Sequence, residues 1–154
     1  MKRVVIVLLP LLLLCFFVWE SEGSYLGRKL GIGLAEPMSW ESTDDHGGFH
    51  GDGLRLDVLQ FSPVDGEVVE ARIQSRGDLW NSGPFDEYLG GIVYADGHGA
   101  KESGWPRYPE NAYWFFKDRH SQQEKALDER YSWNYTAALF DADTDTLYYL
   151  EFDT

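Results

Sequence analysis

The chain has 154 residues and a formal net charge of −13 at neutral pH, which argues against nucleic-acid binding because phosphate backbones would repel it. Its only cysteine, Cys15, lies in an N-terminal apolar segment, so disulfides and cysteine-based metal sites are excluded from the remainder of the chain. The remainder must therefore fold on an apolar core, and aromatic residues, which make up 16% of the chain, can supply one.

Residues 1–23 have the composition of an export signal. Lys2 and Arg3 precede an apolar block from Val4 to Trp19, and a small residue, Gly23, follows it. The block is longer than the roughly 7–15 apolar residues of a signal peptide and shorter than the roughly 20 of a membrane span. Cleavage after Gly23 and retention as a membrane anchor both stay open. Because the basic end stays cytoplasmic, the sequence predicts an exported protein, either anchored and facing outward or secreted or periplasmic after cleavage.

The next segment, residues 24–37, contains three glycines and little hydrophobic periodicity, which predicts a flexible tether. Residues 38–154 then have the length of one ordinary domain. A short strand is predicted at Met38–Ser42, and a turn-rich tract, Asp44–Gly53, follows it. Leu54–Phe61 alternates apolar and polar side chains, which predicts a second strand.

Residues 64–76 fit two structures. Ser62 as the N-cap and Pro63 at the first helical position favour a helix, in which Val69 and Ile73 share one face. The same segment also alternates as a strand does, after a turn that begins at Pro63. We favour the helix.

The C-terminal half begins with Asp86–Tyr94, which fits either a short helix or a strand, and continues into a loop rich in Gly and Pro, Ala95–Glu110. An aromatic strand is predicted at Tyr113–Lys117. Two strand-like runs, Ser132–Phe140 and Leu147–Phe152, flank a turn rich in Asp and Thr and predict a β-hairpin. The sequence therefore predicts an α+β fold, a single domain on an antiparallel sheet with a C-terminal β-hairpin and one or two short helices.

The tract Asp44–Gly53 holds the candidate metal ligands. His46, His50 and Asp52 carry imidazole and carboxylate groups, which are good ligands for Zn²⁺ and similar ions, and the glycines between them let a loop wrap closely. A closed site would need another ligand from elsewhere in the chain. The alternative is a loop whose polar groups satisfy its own backbone. No cofactor is predicted beyond a divalent metal ion at this loop.

The loop Ala95–Glu110 holds the main candidates for ligand binding without catalysis, Trp105 and Tyr108. Their rings could stack on a sugar, a peptide or a prolyl segment, because functional residues concentrate in long loops. The alternative is that the rings fold back as a lid over the core. The motifs of serine hydrolases, phosphate-binding loops and zinc helices are missing from the sequence.

These observations predict a non-catalytic binding or interaction module of the cell envelope. Its partner is an unidentified protein, peptide or glycan, and it contacts the membrane through the N-terminal segment if that segment is not cleaved. The alternatives are a metal-dependent or hydrolase-like enzyme that uses the Asp44–Gly53 loop and a structural envelope component. The tracts His46–Gly53 and Arg130–Thr154 resemble those of small exported bacterial proteins with no assigned activity. This resemblance implies a bacterial envelope setting and assigns no role to any residue.

Overall fold

The computed structural model describes residues 22–47, 51–122 and 125–154. Almost all of the predicted leader, and the candidate ligand His50, therefore lie outside the described residues. The described part of the chain is an α+β domain built around a six-stranded antiparallel sheet, which confirms the predicted fold class. No helix within these ranges is both long enough and apolar enough to cross a bilayer.

The described residues form three helices, a 3₁₀ turn and six strands. The helices are α1 (Glu22–Leu30), α2 (Pro63–Gln74) and α3 (Glu87–Val93), and the 3₁₀ turn is Leu127–Glu129. The strands are β1 (Ser39–Asp44), β2 (Gly53–Gln60), β3 (Trp80–Ser82), β4 (Ala112–Asp118), β5 (Tyr135–Asp141) and β6 (Thr146–Asp153). Their order across the sheet is β1-β2-β6-β5-β4-β3. The predicted C-terminal hairpin is therefore the centre of the sheet, where every residue of β5 is buried.

The first helix corrects the prediction of a flexible tether at residues 24–37. Leu26 and Leu30 of α1 are fully buried, and both belong to the apolar core. Gly31 follows the helix with a φ of +69°, the left-handed conformation that ends many helices and that glycine adopts without strain. Of the glycines that suggested a tether, Gly27 lies inside the helix and Gly31 ends it, so this segment begins with a helix that is part of the domain.

The second helix decides between the two structures that residues 64–76 allowed. The side-chain oxygen of Ser62 accepts a hydrogen bond from a backbone N–H of the first turn at 3.2 Å, and Pro63 is the first helical residue. Val69 and Ile73 are fully buried on the face of α2 that meets the sheet. The helix predicted from the cap and the spacing is confirmed.

Gly66 allows α2 to approach the turn between β5 and β6. A Cβ atom at this position would lie 2.0 Å from a carboxylate oxygen of Asp145, which is closer than real Cβ atoms come to any neighbour. Asp145 itself has a φ of 51°, and its carbonyl accepts a hydrogen bond from the N–H of Phe61 at 2.9 Å. The turn, the start of α2 and the end of β2 are thereby held together.

The sheet separates two apolar cores because side chains alternate between its faces. On one face, α1 and α2 pack against Phe115, Phe140 and Leu147. On the other face, α3, the loop 95–110 and the 3₁₀ turn pack against Leu139 and Leu150. The protein therefore has three layers, and the loop that holds Trp105 and Tyr108 belongs to the second face.

A buried carboxylate, Glu151 of β6, joins α1 to the sheet and is only 6% exposed. One of its oxygens accepts hydrogen bonds from Lys29 Nζ at 2.8 Å and from Arg119, and the other accepts from the hydroxyls of Tyr25 at 3.1 Å and Tyr149 at 2.8 Å. Burial alone would raise the pKa of this carboxyl, but the hydrogen bonds from Lys29 and Tyr149 and the charge of Arg119 hold it below its usual value. The ionised carboxylate of Glu151 therefore connects α1 to β6 through its hydrogen bonds with Tyr25 and Lys29.

Candidate functional site

His46 lies between two strand ends, where both of its ring nitrogens have carboxylate partners. Its Nδ1 is 2.7 Å from Asp44 at the end of β1, and its Nε2 is 3.1 Å from Asp153 at the end of β6. Asp52 is exposed, and His50 lies outside the described residues. The part of this tract that the structure describes thus uses its histidine to connect β1 and β6.

Two further histidines also contact protein groups. His98 is buried, with Nδ1 3.1 Å from the Tyr135 hydroxyl and its ring stacked on Phe152 at 4.5 Å. Burial lowers the pKa of His98, so its ring is neutral at physiological pH. A ring nitrogen of His120 is 3.2 Å from the side-chain amide of Asn134. Within the described ranges, no group of three or more His, Cys, Asp or Glu side chains is arranged to hold a metal ion.

The side chain of Trp105 packs against the core, which agrees with the alternative prediction that the rings of this loop cover the core as a lid. Its side chain is 5% exposed and lies 5.6 Å, between ring centroids, from Tyr148 of β6. Its indole N–H is buried and has no hydrogen-bond partner among the described residues. A ligand in solvent therefore has no access to this ring, and the main contribution of Trp105 is to the second core.

Tyr108, the other aromatic candidate of this loop, is 75% exposed. The guanidinium of Arg107 lies 5.7 Å from the ring centroid of Tyr108 and 5.6 Å from that of Tyr94. Burial raises the pKa of Tyr94, whose hydroxyl donates a hydrogen bond to the carbonyl of Pro106 at 2.7 Å. We call Tyr94, Arg107 and Tyr108 the aromatic platform, because the guanidinium of Arg107 lies within cation–π distance of both rings.

The aromatic platform borders a cavity of about 300 Å³ between the loop and α3. Two carboxylates at the start of α3, those of Asp86 and Glu87, also line the cavity. Asp86 caps the helix by accepting a hydrogen bond from the N–H of Leu89 at 2.8 Å. Glu87 is exposed and has no hydrogen-bond or ion-pair partner among the described residues. The cavity therefore combines an exposed ring, a guanidinium donor and carboxylate acceptors. The full lining is Phe85, Asp86, Glu87, Gly90, Tyr94, Arg107 and Tyr108.

The sequence predicted one of these residues, Tyr108, from the composition of its loop. The signal for Arg107 was present as well, because a basic residue next to an exposed aromatic residue can make a cation–π contact. Tyr94 and Glu87 had no such signal, since only the packing of α3 against the loop brings them to the cavity.

Comparison of the chain with protein-family models, with curated proteins and with solved structures finds no match. Its function must therefore be inferred from the chemistry of the site.

Proposed function

We propose that the domain is a non-catalytic binding module of the cell envelope and that its ligand is a glycan held at the aromatic platform. The observation that carries the proposal is the exposure of Tyr108, which is 75% exposed and whose ring lies within cation–π distance of Arg107 beside a cavity. An aromatic ring left in solvent on a loop contributes little to the core, and such rings are typical of binding surfaces.

The groups around the cavity match the chemistry of a sugar ring. A sugar has apolar C–H faces, which can stack on the ring of Tyr108, and hydroxyls around its edge. Arg107 can donate hydrogen bonds to these hydroxyls, and the exposed carboxylate of Glu87 can accept them. A volume of about 300 Å³ lies at the lower end of ligand pockets, so the cavity would hold one sugar unit with the rest of the chain in solvent.

The predicted leader supports an envelope ligand. Export would place this domain among the polysaccharides outside the cytoplasmic membrane, whether the leader is cleaved or retained. The enzyme alternative and the structural alternative gain no specific contact or cavity from the described residues. The binding module is therefore the function that the geometry supports best.

The test is binding of a panel of soluble oligosaccharides by isothermal titration calorimetry. Tyr108→Ala is the test variant, and Tyr131→Ala is its matched control because Tyr131 is fully exposed and does not line the cavity. We expect Tyr108→Ala to weaken binding about tenfold or more and Tyr131→Ala to leave it unchanged. A panel without any binding sugar, or equal affinity in both variants and the parent protein, would refute the proposal.

A further inference from the structure

The sheet has a half-covered edge at β4. The three residues of β3 pair with Tyr113–Phe115, in the first part of β4. The last part of β4, Phe116–Asp118, pairs with β5 on its inner side, and it has no strand partner on its outer side among the described residues. Unpaired strand edges present backbone donors and acceptors in a regular row, so they can accept an additional strand.

A groove of about 590 Å³ lies along this edge. We call it the β4 edge groove. Its apolar lining comes from both sides of the sheet, with Leu89, Trp114 and Phe116 on the side of α3 and Leu79 beside β3. All four side chains are half-buried. The apolar side chains of a strand added at this edge could therefore pack against these four half-buried side chains.

The charges around the β4 edge groove are mainly positive, although the chain as a whole is strongly acidic. Arg28, Lys29 and Lys117 line the groove, and the one carboxylate of the lining, Asp78, is paired with Arg76 at 2.9 Å. Lys29 is bound to the buried Glu151. Lys117 is exposed and has no ion-pair partner among the described residues. A local positive potential selects an acidic occupant and disfavours a basic one.

We propose that the β4 edge groove binds an extended acidic peptide segment of a partner protein by strand addition to Phe116–Asp118. Backbone hydrogen bonds to the edge supply the pairing, alternate apolar side chains pack on Trp114 and Phe116, and the carboxylates face Lys117. A second copy of this chain fits less well, because pairing β4 with β4 around a two-fold axis would bring two copies of Lys117 together. This site is separate from the aromatic platform and takes a different class of ligand.

The test measures fluorescence anisotropy of a labelled peptide, Glu-Val-Glu-Val-Glu, titrated with the full-length protein. Lys117→Glu is the test variant, and Lys125→Glu is the matched control because it makes the same charge change at an exposed lysine outside the groove. We expect Lys117→Glu to weaken binding at least about fivefold and Lys125→Glu to change it less than about twofold. A peptide with N-methylated backbone, which cannot pair as a strand, should bind at least about fivefold more weakly.

Each contrary outcome overturns the proposal in a recognisable way. If the labelled peptide does not bind to the protein, the proposed site does not exist. Equal weakening of peptide binding by the two lysine variants would mean that binding depends on the net charge of the protein alone. Equal affinity for the N-methylated peptide would exclude strand addition. A dimer in size-exclusion chromatography that an excess of the peptide dissociates would identify a second copy as the occupant. Tyr108→Ala should leave peptide binding unchanged, so the failure of this proposal is distinguishable from failure of the glycan site.

Discussion

Replacing Glu151 with Gln tests whether the buried carboxylate holds α1 on the sheet. The substitution keeps the size and shape of the side chain and removes its charge. One oxygen that accepts hydrogen bonds becomes an NH₂ group, which cannot accept them. Lys29 then loses its ionised partner, whereas Arg119 keeps its ion pair with Asp153 at 2.8 Å. The new NH₂ group also points either at these two cations or at the two tyrosine hydroxyls, all of which are donors.

The magnitude follows from the four hydrogen bonds and the exposure of the cations. Removing one partner of a fully buried ion pair costs about 3–5 kcal/mol, because the other charge is left without compensation. Here the side chains of Lys29 and Arg119 are 29% and 22% exposed, so water can partly solvate them after the substitution, and Arg119 keeps Asp153 as an ionised partner. We therefore expect Glu151→Gln to lower the free energy of unfolding by about 3 kcal/mol at pH 7, the lower end of that range.

The same contacts predict how this difference depends on pH. The pKa of Glu151 is lowered in the folded protein from its ordinary value of 4.5, so the folded state favours the ionised form. Its contribution to stability is therefore complete above about pH 4.5 and is lost as the pH falls through the folded-state pKa. Because Glu151→Gln has no proton to gain at this position, the stability difference between the two proteins should narrow in acid.

The assay is urea denaturation followed by tryptophan fluorescence at pH 7 and at successively lower pH. Glu67→Gln is the matched control, because Glu67 is exposed on α2 and has no ion-pair or hydrogen-bond partner among the described residues. It should change stability by less than about 0.5 kcal/mol. The connection of α1 to the sheet through Glu151 would be refuted if Glu151→Gln lowered the free energy of unfolding by less than about 1 kcal/mol at pH 7. It would also be refuted if the difference in stability between the two proteins did not change with pH.

Three further predictions use the same urea titration at pH 7. Leu26→Ala should cost about 2–5 kcal/mol because it leaves a cavity at a fully buried position of α1, and a loss near zero would mean that α1 does not belong to the core. Ser62→Ala removes the N-cap of α2 and should cost about 1 kcal/mol, whereas the exposed Val64→Ala should cost less than half of that; equal effects would argue against the cap. Trp105→Ala should cost about 3–5 kcal/mol and Tyr108→Ala less than about 0.5 kcal/mol, and the opposite ranking would contradict the division of their loop into a buried and an exposed part.

Several elements were predictable because their signals are local. The alternation of Leu54–Phe61 identified β2, and the two runs around the Asp- and Thr-rich turn identified the hairpin of β5 and β6. Ser62 and Pro63 marked the start of α2, since an N-cap depends on residues within one helical turn. In each case, the residues that determine the structure are neighbours in the chain.

The predictions that were wrong or incomplete concern segments whose structure depends on distant partners. α1 is short and rich in glycine, and it is stable because Leu26 and Leu30 enter the core and Lys29 reaches Glu151, 122 residues away. Sequence periodicity carries no information about such a partner. The loop composition likewise identified Tyr108, but it could not distinguish the exposed Tyr108 from the buried Trp105.

Composition and local patterns determined the fold class, the hairpin, the capped helix and the absence of cysteine chemistry outside the N-terminal segment, because each depends on residue types or on spacings of a few residues. Only the tertiary structure decided what the polar and aromatic residues do. It paired His46 with Asp153, 107 residues away, it turned Trp105 inward and Tyr108 outward, and it left half of β4 without a strand partner in the described part of the sheet. These outcomes depend on which segments pack together, and packing is set by contacts between residues that are far apart in the chain.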